Sequence, residues 1–248
     1  MIKYIRKNIY LCTKFSNMSD TQVKSKERVQ KHGEVFTPQW LVNDMLNLLP
    51  DNMWQVDKTF LEPACGEGAF LVEILKRKLD KIFENFDNIN DKNLMEFEWQ
   101  IVIATSAIYG IELLNDNIIE SRKNLMKTLN NFFINNNLGK PDKHFLETIT
   151  FLIDRNIVQG NALTCRKCSL ECGNECINCD DIIFSQWKPL DNYQFRRKDF
   201  IYREIIKADE VRKAEIGGFF ENQLTTKEYG LIKEYKPVYF KEIQYAED

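Results

Sequence analysis

The stretch Thr59-Phe60-Leu61-Glu62-Pro63-Ala64-Cys65-Gly66-Glu67-Gly68-Ala69-Phe70-Leu71, continued by Val72, Ile74 and Leu75, decides the fold. Its apolar start predicts a short strand, Glu62 to Gly68 a tight loop, and the helical spacing of the apolar residues after Ala69 a helix. In an α/β sheet the crevice beyond the carboxyl end of such a strand binds nucleoside ligands, and Gly66 and Gly68 let the backbone approach one closely. A G-x-G pair alone is more often a plain turn, so the neighbours have to decide. The loop also lacks the third glycine of the dinucleotide fingerprint G-x-G-x-x-G. Its entrance carries an acid, Glu62, which suits a cationic ligand better than a phosphate.

Outward from this loop the pattern repeats. Upstream, the charged stretch Lys24 to His32 has helical propensity and leads into Gly33-Glu34-Val35-Phe36-Thr37-Pro38. Pro38 suits a first helical turn, and Leu41, Met45, Leu48 and Leu49 predict a helix over Gln39 to Leu49 that packs on the sheet. Downstream, a helix around Leu94 to Ala104 precedes Ile108-Tyr109-Gly110-Ile111-Glu112-Leu113, which reads as a second strand ending in an acid. A carboxylate there can accept both hydroxyls of a ribose. A third strand, Asn156-Ile157-Val158-Gln159, leads to Gly160-Asn161-Ala162-Leu163. The Asn161 amide can accept from an adenine amine and donate to a ring nitrogen.

Taken in order, these segments resemble the amino-methyltransferase family of DNA methylases. Gly33 to Pro38 is similar to that family's G-x-x-x-T-P element, and Phe60 to Leu71 to its D/E-P-A-x-G-x-G-x-F cofactor loop. Tyr109-Gly110-Ile111-Glu112 is similar to its ribose-binding strand end, and Gln159 to Leu163 to its G-D-x-L element, with Asn161 in place of the aspartate. The resemblance spans about residues 30 to 165. It implies an α/β fold: a Rossmann-like class I methyltransferase sheet with flanking helices, cut short on its C-terminal side and carrying a small Cys-rich insertion. The implied cofactor is S-adenosylmethionine, whose ammonium and sulfonium match the acid of the loop. Its implied contacts are Thr37, Pro38, Glu62, Pro63, Ala64, Cys65, Gly66, Gly68, Glu112, Leu113, Asn161 and Ala162. The chain divides accordingly into an arm over 1–29, a cofactor-binding core over 30–164, the insertion over 165–180, and the rest of the sheet with a helical and edge-strand segment over 181–248.

One element of that family is missing. Its enzymes present a tetrapeptide of Asp, Asn or Ser, then Pro-Pro, then an aromatic residue, to a base flipped out of the duplex: acceptors free the amine lone pair, and a ring stacks on the base. The six prolines here, at 38, 50, 63, 141, 189 and 237, are nowhere adjacent. The corresponding place follows Asp181-Ile182-Ile183-Phe184, which reads as the next strand. There Ser185, Gln186 and Trp187 are the candidate catalytic residues, Gln186 as acceptor and Trp187 as stacking ring, against the plainer reading of a loop residue and a ring covering the sheet edge. Two functions follow. One is the adenine-N6 modification component of a restriction–modification or phage-defence system, meeting DNA through a partner chain or recognition subunit in a hetero-oligomer. The other is a catalytically inactive, cofactor-binding regulatory or assembly subunit of such a system.

Five of the seven cysteines, Cys165, Cys168, Cys172, Cys176 and Cys179, fall within 15 residues. The pairs Cys165-x2-Cys168 and Cys176-x2-Cys179 read as knuckles for a structural zinc, with Cys172 as an alternate ligand and an iron–sulfur cluster or redox switch as competing readings. Acidic flanks argue against DNA contact there. Cys65 reads as a small apolar filler. A net charge of -3 excludes a global positive field for sequence-blind DNA binding, leaving Arg196, Arg197 and Lys198 as the one compact basic patch. No apolar run is long enough to span a bilayer and the first 18 residues lack a signal-peptide core, so the expected location is cytoplasmic, with translation starting at Met1 or Met18. The C-terminal part predicts a helix over Phe200 to Ile216 and an edge strand over Val238 to Ile243.

Overall fold

The computed structural model describes residues 25–32, 34–86, 89–90, 93–167, 179–215 and 229–246. Three strands, β1 (Phe60–Glu62), β2 (Ile108–Glu112) and β3 (Ile157–Gln159), form a parallel sheet in the order β1-β2-β3, with Phe60 opposite Ile108 and Glu112 opposite Gln159. Before it come α1 (Lys26–His32) and α2 (Gln39–Leu46). Helices α3 (Ala69–Glu84) and α4 (Leu94–Ser106) connect β1 to β2, while α5 (Asn115–Asn135) and α6 (Lys143–Asn156) connect β2 to β3. Parallel strands need such crossovers, and the crossovers bury the sheet.

The helices form for visible reasons. In α3, Leu71, Ile74, Leu75, Leu79 and Ile82 make one buried stripe, whereas α4 is buried from Phe97 to Ser106, as befits a helix in the middle of a core. Asp142 caps α6 by accepting from the backbone N–H groups of His144 (2.9 Å) and Phe145 (3.3 Å). Inside α3, Lys78 is fully buried and its ammonium donates to the carbonyls of Val56 (2.8 Å), Lys58 (2.7 Å) and Gln55 (3.4 Å). Burial pushes the Lys78 ammonium down to about 7, and the three carbonyls pin the turn that delivers β1.

The C-terminal part departs from expectation. The strand anticipated at Asp181 to Phe184 is β4 (Ile183–Leu190), which does not continue the parallel sheet but pairs antiparallel with β5 (Gln194–Ile201) over eight residues. After α7 (Tyr202–Glu215), strands β6 (Leu231–Glu234) and β7 (Val238–Tyr239) both pair with β5, making a second sheet. The edge strand anticipated over Val238 to Ile243 is thus two residues long, followed by a 3-10 helix over Phe240–Tyr245. Phe240 and Ile243 are both almost wholly buried, one helical turn apart, which an extended chain would place on opposite faces. The sheets meet through Trp187, whose indole donates to Asn156 Oδ1 (3.0 Å), through Tyr109, whose hydroxyl donates to the Ser185 carbonyl (2.7 Å), and through Trp99 packed on Phe195 and Phe240. Among the described residues no helix is long and apolar enough to cross a membrane.

Candidate functional site

The carboxyl end of β1 delivers the loop that the sequence singled out. Gly66 and Gly68 both have left-handed backbone, at φ +53° and +87°, and a Cβ on Gly68 would lie 2.5 Å from the Ser121 hydroxyl of α5. Glycine is therefore the residue that lets the loop turn while α5 lies against it. Cys65 N–H donates to the Ile111 carbonyl (2.9 Å) and the Asn124 amide to the Glu67 carbonyl (3.0 Å), so the loop is tied to both β2 and α5.

At the end of β2 the Glu112 carboxylate accepts from two backbone N–H groups, Gly66 at 2.8 Å and Leu114 at 2.9 Å. The strand-end acid and the glycine loop are thus in direct contact, 46 residues apart in sequence. The Gly160 N–H donates to the Glu112 carbonyl (2.9 Å), and Gln159 donates its side-chain amide to the Leu113 carbonyl (3.1 Å). Asn161, in the adjoining turn, uses its Oδ1 to accept from Leu163 N–H (2.9 Å) and Thr164 N–H (3.3 Å). Its NH2 group remains to donate, so the simultaneous acceptor role anticipated for Asn161 would compete with its own turn. Ala162 packs beside the small cluster of Ile111, Cys165, Ile182, Phe184 and Tyr202.

The segment before α2 crosses the loop. Phe36 lies over Gly66, its ring 3.8 Å from where a Cβ would stand, and Pro38 begins α2. Between this strap and the loop is a cavity of about 470 Å³ lined by Phe36, Thr37, Glu62, Ala64 and Gly66 on one side and Asn124 on the other. Burial lifts the Glu62 carboxyl to about 7, offset only in part by the Ala64 N–H that it accepts at 3.3 Å. Burial, then the carboxylates of Glu112 and Glu62, push the Cys65 thiol up to about 12, which makes it an inert filler rather than a nucleophile.

The other anticipated residues do not converge on this cavity. Ser185 is buried and donates to Asp199 Oδ1 (2.6 Å), Trp187 is buried with its indole on Asn156, and Gln186 points to solvent between them. In this arrangement the Trp187 ring is committed to the core, edge-on to Phe151. Of the basic patch, Arg197 is also buried: it donates to Asp199 (2.6 and 2.8 Å) and stacks on Tyr235 at 4.1 Å, leaving Arg196 and Lys198 outside. Cys165 is buried, with its Sγ 3.6 Å from the Ala162 carbonyl, while Cys168, Cys172 and Cys176 lie outside the described residues. Among the described residues no group of three or more His, Cys, Asp and Glu side chains is placed to hold a metal ion.

Two clusters went unread in the sequence. Arg28 bridges Glu34 to Asp116 and Asn117 beside the loop, and Arg155 and Arg197 share Asp199 under β4 and β5. Neither has a local signal, because each joins residues from different elements, and the stretch around Arg28 reads only as charged and helical in propensity.

This geometry can now be set against known proteins. Residues 21–136 match the family model described as N-6 DNA Methylase. The match begins ahead of α1 and ends at the close of α5, so it holds the strap, the glycine loop and Glu112, and stops short of β3 and the whole antiparallel sheet. This segment, a little under half of the chain, is similar to DNA methylases, and the parallel sheet with flanking helices is consistent with a methyltransferase fold. No curated protein and no solved structure matches.

Proposed function

We propose that this chain binds S-adenosylmethionine and serves as the adenine-N6 methylating component of a restriction–modification or phage-defence system. The observation that carries this reading is Glu62. A carboxyl group at a cavity wall, lifted to about 7 by burial and accepting one backbone N–H, with Lys127 on the same cavity's lining, is poised for a positively charged ligand. The similarity of residues 21–136 to N-6 DNA methylases supports the same assignment.

Glu62 would face the ammonium and sulfonium charges. The loop at Ala64, Cys65, Gly66 and Gly68 would offer backbone rather than side chain to the ligand, with Pro63 rigidifying its entry. Glu112 beside Leu113 would accept the ribose hydroxyls, and Asn161 with Ala162 would border the adenine, Asn161 as donor. Thr37 and Pro38 would close the opposite side. When bound, the cofactor supplies an activated methyl group to an amine nucleophile. DNA would be met through a partner chain or recognition subunit in a hetero-oligomer. The burial of Ser185 and Trp187 favours a second reading, in which the chain binds cofactor but performs no transfer by itself. The Cys-rich insertion is offered as a structural zinc knuckle on Cys165, Cys168, Cys176 and Cys179, with Cys172 as alternate ligand. Elemental analysis of purified protein without zinc would end that part.

The test is calorimetric titration with S-adenosylmethionine, followed by incubation with DNA and tritiated cofactor. Binding with methyl incorporation supports the enzyme, binding without it supports the regulatory subunit, and absence of binding rejects both.

A further inference from the structure

Four polar groups meet where the strap leaves α1. The Arg28 guanidinium donates through Nε and, at 2.7 Å, through NH2 to the two oxygens of Glu34, and through NH1 (2.8 Å) and NH2 (3.1 Å) to Asp116. Asn117 closes the ring by donating to Glu34 Oε1 at 2.6 Å. The Glu34 side chain is only 8% exposed, so the pair is shielded from water in a way that the surface pairs of this protein are not. Each partner has a position that matters. Glu34 stands two residues before Phe36, which covers Gly66. Asp116 and Asn117 open α5, directly after the turn in which Leu114 N–H holds the Glu112 carboxylate.

We infer that Arg28 is a positioning residue for the cofactor site: its fork clasps the strap onto the start of α5 and thereby fixes Phe36 and Glu112 on opposite sides of the glycine loop. A planar guanidinium can satisfy two carboxylates in one plane, which an ammonium cannot, so the geometry asks for arginine at this position. Without Arg28 the strap loses its charged tether to α5 and keeps the Asn117 amide on Glu34, the Phe36 packing and its continuation into α2, so the cavity between Phe36, Glu62 and Gly66 has a less firmly fixed wall. Ligand binding then has to order the strap as well as fill the cavity. The binding part of this inference rests on the proposed cofactor; the clasp itself does not.

Two measurements on the full chain separate these parts. In ligand-free protein, amide hydrogen exchange of residues 34–37 and 113–118 should rise in Arg28→Ala relative to wild type, with the exchange of α3 and α6 unchanged. Equal exchange at the strap in the two proteins overturns the clasp, whatever the ligand does. In calorimetric titration with S-adenosylmethionine, Arg28→Ala should weaken binding by about tenfold or more, with Arg28→Lys between it and wild type. A variant whose strap exchanges faster while its affinity matches wild type overturns the positioning role. Wild-type protein that binds no cofactor rejects the proposed function and the binding half of this inference together, and leaves the exchange result to decide the clasp. A uniform rise in exchange across α3 and α6 would mark Arg28 as a general stabiliser and equally overturn the assignment.

Discussion

The parallel and antiparallel halves of this molecule each hold a carboxyl group on a β-strand, Glu62 at the end of β1 and Asp199 within β5, and they treat it in opposite ways. In the antiparallel half, burial pushes Asp199 up, but hydrogen bonds from Arg197 and Ser185, with the charges of Arg197 and Arg155, outweigh it and hold the carboxyl below its usual range. Tyr235 adds a further donor at 3.1 Å. In the parallel half, Glu62 accepts one long backbone hydrogen bond, and burial lifts it to about 7. A saturated carboxylate is what architecture needs, and an unsaturated one beside a cavity is what a ligand site needs. Under the proposed function, the difference separates the half that carries structure from the half that would carry chemistry.

The largest effect should therefore come from the half without the site. Asp199→Ala leaves Arg155 and Arg197 without their shared counter-charge in a mostly buried setting, and is expected to cost about 3–5 kcal/mol of stability. Urea unfolding measures it. Because the Asp199 pKa is depressed on folding, the stability it gives is present above the unfolded carboxylate range and disappears as pH falls through the folded value, so the wild type should also weaken in acid. A loss below about 1 kcal/mol would assign the holding of Arg197 to its stacking on Tyr235 and break the comparison.

Next in size are the glycines. Gly68→Ala combines left-handed backbone with a collision at Ser121, whose Cα would also stand 3.3 Å away, and should destabilise by about 2 kcal/mol or more. Gly66→Ala shares the backbone strain but meets only the Phe36 ring at 3.8 Å, and should cost about 1 kcal/mol while narrowing the cavity. Thermal melts that rank the two in reverse would mean that α5 yields more easily than the strap.

Glu62 tests the comparison through pH. Its folded pKa of about 7 lies above the unfolded value, so between roughly pH 4.5 and 7 the ligand-free folded protein holds an extra proton, and its stability declines as pH rises through that window. Glu62→Gln should remove that decline. The same variant should weaken S-adenosylmethionine binding by about tenfold at pH 8, with a smaller difference at pH 5, where the wild-type group is protonated. Identical affinities at both pH values would detach Glu62 from the ligand.

These effects track what the sequence could disclose. The glycine loop, the acid ending β2 and the positions of β1, β2 and β3 along the chain were legible because each depends on local spacing: a strand period, a turn, a helical period. Glu112 turning inward to the Gly66 amide was not legible, since the contact crosses 46 residues; it brings the strand-end acid against the glycine loop. The antiparallel sheet was misread for a different reason. Trp187 and Ser185 follow a strand and look available, but pairing with β5 gives β4 an inner face that buries both, and Gln194 to Ile201 was not read as a strand from its sequence. The hairpin's closing turn, with Asn192 and Tyr193 both in left-handed backbone, is similarly hidden, because a tyrosine does not advertise such a conformation.

The smallest effect comes from the two basic residues left outside when Arg197 turned inward. Arg196 and Lys198 lie on the outer face of β5 and both reach Glu234, at 3.7 and 3.2 Å. One half-exposed carboxylate serving two cations contributes little, so Arg196→Ala should change stability by less than about 0.5 kcal/mol and Lys198→Ala, whose side chain is 17% exposed, by less than about 1 kcal/mol. If the antiparallel half serves architecture alone, neither should alter binding to duplex DNA or its salt dependence. A salt slope reduced by about one in either variant, measured by fluorescence anisotropy, would instead give this face a phosphate contact. The antiparallel sheet would then hold part of the DNA surface, and the division between a chemical half and a structural half would run through β5, with Asp199 and Arg197 on its inner side.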